Sequence, residues 1–309
     1  MKSVFVINGF LDSGKTQFIS YTLAQPYFRT KGTTLLIMCE DGEEEYDQKL
    51  LAATHTVLVK VSSEAEITPD ALMEMDKQYR PSRIIFEYNG MWNYKNFKLP
   101  FQWKLEQQIT TIDTSTFEMY YNNMRSLLGE MIRKSELIIF NRADGLNDKL
   151  TTYKRNIKAL NQTAEVVFED SEGEINATLD EELPFDVSKD HIDLTDETYG
   201  IWYLDAIDNL DRYLGKTVSF TVCALVPGDF AKGYFVPGRA IMTCCAEDIQ
   251  FLGYACKYAD ADKLKDREWL KVTCKVGKEY FAGYDGEGPV LEAISVEKTK
   301  APKKEVLTF

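Results

Sequence analysis

Residues 9–16 read Gly9-Phe10-Leu11-Asp12-Ser13-Gly14-Lys15-Thr16, which fits the pattern G-x-x-x-x-G-K-[ST] of a phosphate-binding loop. The stretch follows a short apolar run and opens an amphipathic run, the order of a strand, a loop and a helix. The glycines let backbone N–H groups face phosphate oxygens, and the helix N-terminus adds partial positive charge. We expect Lys15 to bind the β and γ phosphates and the Thr16 hydroxyl to ligate Mg²⁺.

Asp12 is unusual in such a loop, because its carboxylate opposes the negative charge of the ligand. We expect it either to point outward, which we favour, or to face a cation or water near the γ phosphate. The candidate nucleotide-binding residues of the loop are Gly9, Asp12, Ser13, Gly14, Lys15 and Thr16.

Short apolar runs alternate with amphipathic runs through residues 1–168, the pattern of βαβ units around a mostly parallel sheet. The predicted strands are residues 4–7, 34–38, 57–61, 83–86, 109–112, 137–140 and 165–168. The predicted helices are residues 16–23, 69–79, 122–133 and 150–160. We therefore predict an α/β P-loop NTPase domain over residues 1–168.

A second motif, Glu87-Tyr88-Asn89-Gly90, directly follows the predicted strand at residues 83–86. An acid at a strand end can hold Mg²⁺ through water, and a glycine three residues later can offer its N–H to the γ phosphate. A glutamate near a glycine turn is common, so this motif alone is weak evidence for a functional site. The phosphate-binding loop that precedes it in the chain supports the functional interpretation. Glu87 and Gly90 are therefore candidates for the phosphate and metal site.

A third motif, Asn141-Arg142-Ala143-Asp144, is N-K-x-D with arginine in place of lysine. The Asp144 carboxylate would accept hydrogen bonds from the N1–H and exocyclic amine of guanine, a donor pair that adenine lacks. The Arg142 stem would pack over the face of the base, as a lysine does. Asn141, Arg142 and Asp144 therefore predict a site for GTP rather than ATP.

The composition excludes several functional classes. A net charge of −13 over 309 residues supplies no basic surface for a nucleic-acid backbone. No run of about 18 apolar residues occurs, so we expect no insertion into a membrane. The six cysteines do not form a small disulfide scaffold, and a nucleotide-binding chain belongs in a reducing compartment, so we expect a cytoplasmic protein.

The second half of the chain differs in pattern from the first. Residues 169–197 carry twelve acidic residues against one lysine, which indicates a solvated connector or, alternatively, an electrostatic docking segment. With a short predicted helix at 203–213, this connector covers residues 169–214. The region from 215 to 309 predicts a small β-rich, OB-like barrel. Its five strands are expected at residues 217–226, 238–244, 251–256, 269–276 and 290–296.

The three motifs at residues 9–16, 87–90 and 141–144 resemble, in their order along the chain, those of the CobW-like family of P-loop GTPases. The family's second-strand motif N-E-x-G-E-x-x-x-D corresponds to residues 39–47, with matches at Glu40, Gly42, Glu43 and Asp47. The resemblance implies GTP and Mg²⁺ as ligands, and many family members are metallochaperones. Glu40, Glu43 and Asp47 are unranked candidates to orient the attacking water. The candidate catalytic residues are Lys15, Glu40, Glu43 and Glu87.

The chain departs from that family at three places. Members that move metal usually carry a C-x-C-C cluster, and the corresponding region around residues 55–59 has no cysteine. Cys39 stands where the family has asparagine, and Arg142 stands where it has lysine. A thiolate site at the family's usual place is therefore absent, and we expect Cys39 to be a packing residue.

Four short stretches of the second half stand at residues 235–239 (FVPGR), 242–248 (MTCCAED), 252–256 (LGYAC) and 268–272 (EWLKV). Through them, residues 210–300 resemble a second, uncharacterised bacterial family whose proteins accompany a predicted permease and carry paired cysteines. The pair here is Cys244 and Cys245, which would point to opposite faces of a regular strand. A bulge or a strand end would let both converge with Cys256 as ligands for Zn²⁺ or Cu⁺. The alternative, which we favour, is that these cysteines are small buried hydrophobic residues.

The sequence thus predicts slow GTP hydrolysis coupled to conformation, with a role in metal homeostasis or as a metallochaperone. The γ phosphate would hold residues 39–47 and 87–90, and its loss would release them. One alternative is a non-hydrolysing adaptor that docks a partner protein through the β domain. Another is an ATP-using enzyme such as a kinase. We expect a protein partner, either a metalloprotein or a component of membrane transport.

Overall fold

The computed structural model describes residues 1–40, 42, 44–175, 183–227, 230–242 and 249–308. The chain divides into two units, Met1–Leu179 and Asp180–Phe309. Within the described ranges, no helix is both long enough and apolar enough to cross a bilayer.

A mostly parallel sheet forms the centre of the first unit, which confirms the predicted α/β class. Its strands are β1 (Lys2–Asn8), β2 (Thr34–Met38), β3 (Thr56–Lys60), β4 (Arg83–Glu87), β5 (Trp103–Asp113), β6 (Leu137–Asn141), β7 (Glu165–Asp170) and β8 (Gly173–Glu174). Their order in the sheet is β3-β2-β4-β1-β5-β6-β7-β8. Among these neighbours, only β7 and β8 are antiparallel.

Helices occupy most of the connections between these strands, whereas the connection from β4 to β5 contains only the 3₁₀ turn Tyr94–Asn96. The helices are α1 (Lys15–Ala24), α2 (Gln48–Ala53), α3 (Pro69–Tyr79), α4 (Phe117–Asn123), α5 (Arg125–Ile132) and α6 (Asn147–Leu160). The short α2 was not predicted, and it begins where the Asp47 carboxylate accepts a hydrogen bond from Lys49 N at 2.8 Å. The helix predicted at residues 122–133 is instead two helices, separated at Met124.

The strand register brings the sequence motifs to one edge of the sheet. Glu87 at the end of β4 lies opposite Ile7 of β1 and Met38 of β2. Asp113 at the end of β5 lies opposite Asn141 at the end of β6. Because the carboxyl ends of parallel strands share one edge, all three motifs meet there, as ligand sites do in open α/β sheets.

The second unit is β-rich, as predicted. Its strands are β9 (His191–Asp193), β10 (Thr217–Leu225), β11 (Tyr234–Met242), β12 (Ile249–Gly253), β13 (Cys256–Lys257), β14 (Trp269–Phe281), β15 (Gly286–Lys298) and β16 (Val306–Thr308). Neighbour pairings run β10-β11-β13-β15-β14 and return to β10, so five strands form a closed ring. The pairing of β13 with β15 is parallel, and the other four in the ring are antiparallel.

Part of the acidic stretch is not a connector but belongs to the second unit. Residues His191–Asp193 form β9, which pairs in parallel with β10. The helix predicted at 203–213 begins earlier, as α7 (Tyr199–Asp208). Trp202 of α7 is buried 5.5 Å from the rings of Phe220 and Tyr254, so the helix contributes to the core of the barrel. Apolar residues between the acids explain this outcome, since the charges can remain outside.

Candidate functional site

The loop at residues 9–16 depends on two glycines for its path. Gly9 and Gly14 have φ angles of 148° and 89°, which side chains other than glycine rarely adopt. A Cβ on Gly14 would lie 2.4 Å from Asn141 Nδ2. That amide donates a hydrogen bond to Ser13 O at 2.7 Å, so the loop is joined directly to the end of β6.

Lys15, the first residue of α1, is buried within the loop. Its ammonium group donates hydrogen bonds to Gly9 O at 3.0 Å and to Phe10 O at 2.8 Å. Its third partner is the Glu40 carboxylate, 2.7 Å away, which comes from the segment after β2. The two side chains are 3% and 11% exposed, so solvent screens this ion pair only weakly. The cation that is expected to bind phosphate is therefore paired with the carboxylate of Glu40.

Glu87 is the buried acid at the end of β4. One carboxylate oxygen accepts a hydrogen bond from Thr16 Oγ1 at 2.7 Å, and the other accepts one from the Tyr46 hydroxyl at 2.5 Å. Burial raises the pKa of Glu87, while the hydrogen bonds from Tyr46 and Thr16 and the charge of Lys15 oppose this rise. Burial and the nearby Glu87 charge also raise the pKa of Tyr46, so its phenol stays a protonated donor.

Gly90 presses against the phosphate-binding loop. A Cβ at this position would lie 2.5 Å from Gly9 O, so a larger residue would displace backbone. Tyr88 N donates to Ile7 O at 2.9 Å, and Cys39 N donates to Glu87 O at 2.9 Å. The ends of β1, β2 and β4 are thus joined around the loop.

Arg142 connects the third motif to the phosphate-binding loop. Its Nη1 donates to Asp12 O at 2.7 Å and to Asp113 Oδ2 at 2.6 Å. Burial alone would raise the pKa of Asp113, but hydrogen bonds from Ser115 and Arg142 hold it below its ordinary value. Asp12 itself is exposed, and its carboxylate borders the same cleft as Gly42.

Asp144 is exposed but held in place. Its Oδ1 accepts hydrogen bonds from Ser171 N at 3.1 Å and Ser171 Oγ at 2.5 Å, which lower the pKa of Asp144. Asn141 Oδ1 is buried and has no hydrogen-bond partner within the described part of the chain. A buried acceptor without a partner is costly, so this atom is suited to a ligand donor.

The residues around the loop fit a magnesium nucleotide. Their side chains line an open cleft that contains an ammonium group, a hydroxyl and carboxylates. Thr16 and Glu87 supply the oxygen ligands that Mg²⁺ prefers, and Lys15 supplies a cation for phosphate. The lining residues are Leu11, Asp12, Gly14, Lys15, Thr16, Glu40, Gly42, Glu44, Glu87 and Arg142.

Sequence reasoning missed the site roles of Tyr46, Asp113 and Ser171. Each contacts a motif residue through a hydrogen bond that no spacing rule specifies. Tyr46 directly precedes Asp47 of the second-strand motif, which was its one available signal. Glu43, a catalytic candidate, lies outside the described residues.

The cysteines have separate environments. Cys39 is buried, and its pKa is raised first by burial and then by the charge of Glu87, which suits a packing thiol. Cys256 and Cys274 are both fully buried, with 3.6 Å between their sulfur atoms. Cys244 and Cys245 lie outside the described residues, and within those residues no cluster of three or more potential metal ligands occurs.

Comparisons with known proteins divide the chain in a similar way. Residues 3–168 match the CobW/HypB/UreG nucleotide-binding domain family, and residues 170–306 match the DUF1980 C-terminal domain family. No curated protein matched the sequence.

Two solved structures were found to be similar to part of this chain. Hydrogenase maturation factor HypB from Archaeoglobus fulgidus is 16% identical, with a TM-score of 0.42 over 55% of this chain and 82% of its own. Zn(II)-bound YjiA GTPase from E. coli is 20% identical, with a TM-score of 0.41 over 58% of this chain and 60% of its own.

Proposed function

Because the chain belongs to the CobW/HypB/UreG family of nucleotide-binding domains, we propose that it binds GTP with Mg²⁺ and hydrolyses it slowly. Hydrolysis is coupled to movement of residues 39–47. One observation carries this proposal: the segment contacts two groups of the expected phosphate and metal site. Glu40 forms an ion pair with Lys15, and the Tyr46 hydroxyl donates a hydrogen bond to Glu87. A phosphate that binds Lys15 must compete with Glu40, so ligand binding changes what holds the segment.

Different residues of the chain would bind the phosphates and hold Mg²⁺. Lys15 and the backbone of residues 9–16 bind and neutralise phosphate oxygens, and Gly90 allows its loop to approach closely. Thr16 and Glu87 would hold Mg²⁺, which supplies charge neutralisation at the phosphates when bound. Glu40, Glu43 and Asp47 stay unranked candidates to orient the attacking water.

The base site supports guanine as the preferred base. One carboxylate oxygen of Asp144 accepts both hydrogen bonds from Ser171, which leaves the second oxygen outside that pair of bonds. Asn141 Oδ1 has no hydrogen-bond partner among the described residues. Guanine offers donors for such acceptors, whereas adenine lacks the paired N1–H and amine. Arg142, held between Asp12 and Asp113, borders the cleft beside them.

We also propose a cytoplasmic role in metal homeostasis, which rests on the family and on the paired cysteines. Zn²⁺ is the proposed metal, with Cys244, Cys245 and Cys256 as its candidate ligands. The closed ring of β10, β11, β13, β15 and β14 supports an OB-like assignment for the second unit. A protein partner, either a metalloprotein or a membrane transport component, would dock there.

Phosphate release by purified protein tests the proposal. We expect slow turnover of GTP, little turnover of ATP, and none when EDTA removes Mg²⁺. Tight GTP binding without any phosphate release would instead support the nucleotide-dependent adaptor. Equal turnover of ATP and GTP would contradict the proposed base preference.

A further inference from the structure

We propose that Tyr46 is a positioning residue for Glu87 and thereby sets the affinity of the site for Mg²⁺. The inference rests on the proposed function, since it assigns Glu87 to the metal. It adds a residue at a position that the second-strand motif of residues 39–47 leaves unspecified. The juxtaposition that carries it is the Tyr46 hydroxyl, 2.5 Å from Glu87 Oε2.

The aromatic ring of Tyr46 has an ordinary structural role. The residue is 4% exposed, and it belongs to an apolar cluster between β1, β2, α1 and α2. The other buried members of the cluster are Ile7, Ile19, Leu23, Leu36, Met38, Leu51 and Ile85. A phenylalanine would fill the same space, so packing explains the ring but not the hydroxyl.

The hydroxyl has a specific partner. Burying a phenol without a hydrogen bond is costly, and a buried carboxylate needs donors even more. Glu87 receives one donor on each oxygen, Thr16 on Oε1 and Tyr46 on Oε2. Tyr46 therefore fixes the rotation of the carboxylate and leaves Oε1 directed toward Thr16, the other expected Mg²⁺ ligand.

The position of Tyr46 is itself fixed by its neighbours in sequence. Asp47 caps α2 through Lys49 N, so the backbone directly after Tyr46 is held. Six residues earlier, Glu40 contacts Lys15. One segment thus contacts both the phosphate-binding cation and the metal-binding acid. Residues that orient metal ligands typically change metal affinity by about 10- to 100-fold when they are removed.

Tyr46→Phe removes the hydroxyl and keeps the ring. The measurement is the affinity for a fluorescent GDP analogue over a range of Mg²⁺ concentrations, and separately in EDTA. We expect the Mg²⁺ concentration for half-maximal effect to rise about tenfold, while affinity in EDTA stays unchanged. The matched control is Tyr213→Phe, which removes a 2.5 Å hydrogen bond between a buried tyrosine and the buried Asp205 carboxylate of the second unit.

The outcomes separate the two proposals. If the wild type binds no guanine nucleotide, or binds it without any effect of Mg²⁺, the proposed function fails. If the wild type responds to Mg²⁺ and Tyr46→Phe responds identically, the positioning role is wrong. Equal weakening in EDTA and in Mg²⁺ would also overturn it, because that result indicates a purely structural role.

A double-mutant cycle with Glu87→Gln gives a second measurement. If Tyr46 acts through Glu87, removal of the hydroxyl should have little further effect on Mg²⁺ dependence once the carboxylate is gone. Independent, additive effects of the two substitutions would contradict the proposal. Thermal melts of each variant establish that it is folded before binding is measured.

Discussion

The Lys15 ammonium group and the Glu40 carboxylate form an ion pair of 2.7 Å inside the phosphate-binding loop. Lys15 begins the helix that follows the loop, whereas Glu40 follows β2, so the pair joins two separate parts of the sheet edge. A nucleotide phosphate carries the same kind of charge as Glu40. Glu40 would therefore compete with a phosphate that binds Lys15 as proposed, and this competition would link binding to the position of residues 39–47.

Replacing Glu40 with glutamine should tighten nucleotide binding. The substitution removes the competing charge from Lys15, and the loss of about 1 kcal/mol of competition corresponds to roughly fivefold in affinity. Titration with a fluorescent GDP analogue in EDTA measures the change without Mg²⁺. Glu44→Gln is the control, since Glu44 lines the same cleft but accepts a hydrogen bond from the exposed Gln17 instead of pairing with Lys15. Weaker binding by Glu40→Gln would show that Glu40 assists the ligand instead of competing with it.

Two glycine substitutions should differ sharply in stability. Gly14 and Gly145 both have positive φ angles, 89° and 71°, so alanine is strained at either position by about 1–2 kcal/mol. Among the described residues, a Cβ on Gly145 meets nothing within 4 Å, whereas on Gly14 it lies 2.4 Å from Asn141 Nδ2. We expect Gly14→Ala to lower the free energy of unfolding by roughly 2 kcal/mol more than Gly145→Ala. Urea denaturation measures both, and equal losses would refute the proposed contact.

Asp144→Asn should change the preferred base. The wild type should favour GTP over ATP by at least about 100-fold, because a bound adenine would cover Asp144 without offering it donors, and polar groups left unpaired under a ligand cost about 1–3 kcal/mol each. The variant should gain affinity for xanthosine nucleotides, whose 2-oxo group accepts where the guanine amine donates. Asp148→Asn, at the exposed first turn of α6, is the control. Equal binding of ATP and GTP by the wild type would refute the base site.

The guanine preference should not vary with pH near neutrality. Hydrogen bonds from Ser171 hold the pKa of Asp144 below its ordinary 3.8, so the carboxylate stays ionised from neutral pH down through that value. The ratio of GTP to ATP affinity should therefore be constant between about pH 5 and pH 8. Competition titrations at several pH values measure it, and a ratio that falls below pH 7 would implicate another group.

Much of the first unit could be predicted from sequence because its signals are local. Seven parallel strands and the loop at residues 9–16 follow from apolar runs and a fixed glycine spacing. The break at Met124 and the short α2 could not be predicted, since they depend on capping and packing. In the second unit, β9 was not predicted because it lies in the acidic stretch. Its formation depends on pairing with β10, which is distant in sequence.

In the candidate site, too, local motifs could be predicted from sequence, whereas contacts between distant residues could not. Glu87 and Asn141 were predicted from motifs and end β4 and β6 at the same edge of the sheet, and Asp144 follows Asn141 by three residues. The hydrogen bonds of Tyr46, Asp113 and Ser171 were not predicted, because side-chain contacts across the fold leave no periodic pattern. The proposed zinc ligands Cys244 and Cys245 lie outside the described residues, so they stay a prediction. Cys256 lies in the core beside Cys274.

Binding of GTP by the wild type and by Lys15→Ala tests the central claim most directly. Lys15 is the cation placed within the loop by its bonds to Gly9 O and Phe10 O, so its removal should abolish measurable binding. Lys49→Ala, an exposed lysine on α2, should bind as the wild type does. The account predicts saturable GTP binding by the wild type and none by a folded Lys15→Ala protein. Undiminished affinity in a folded Lys15→Ala variant would contradict it.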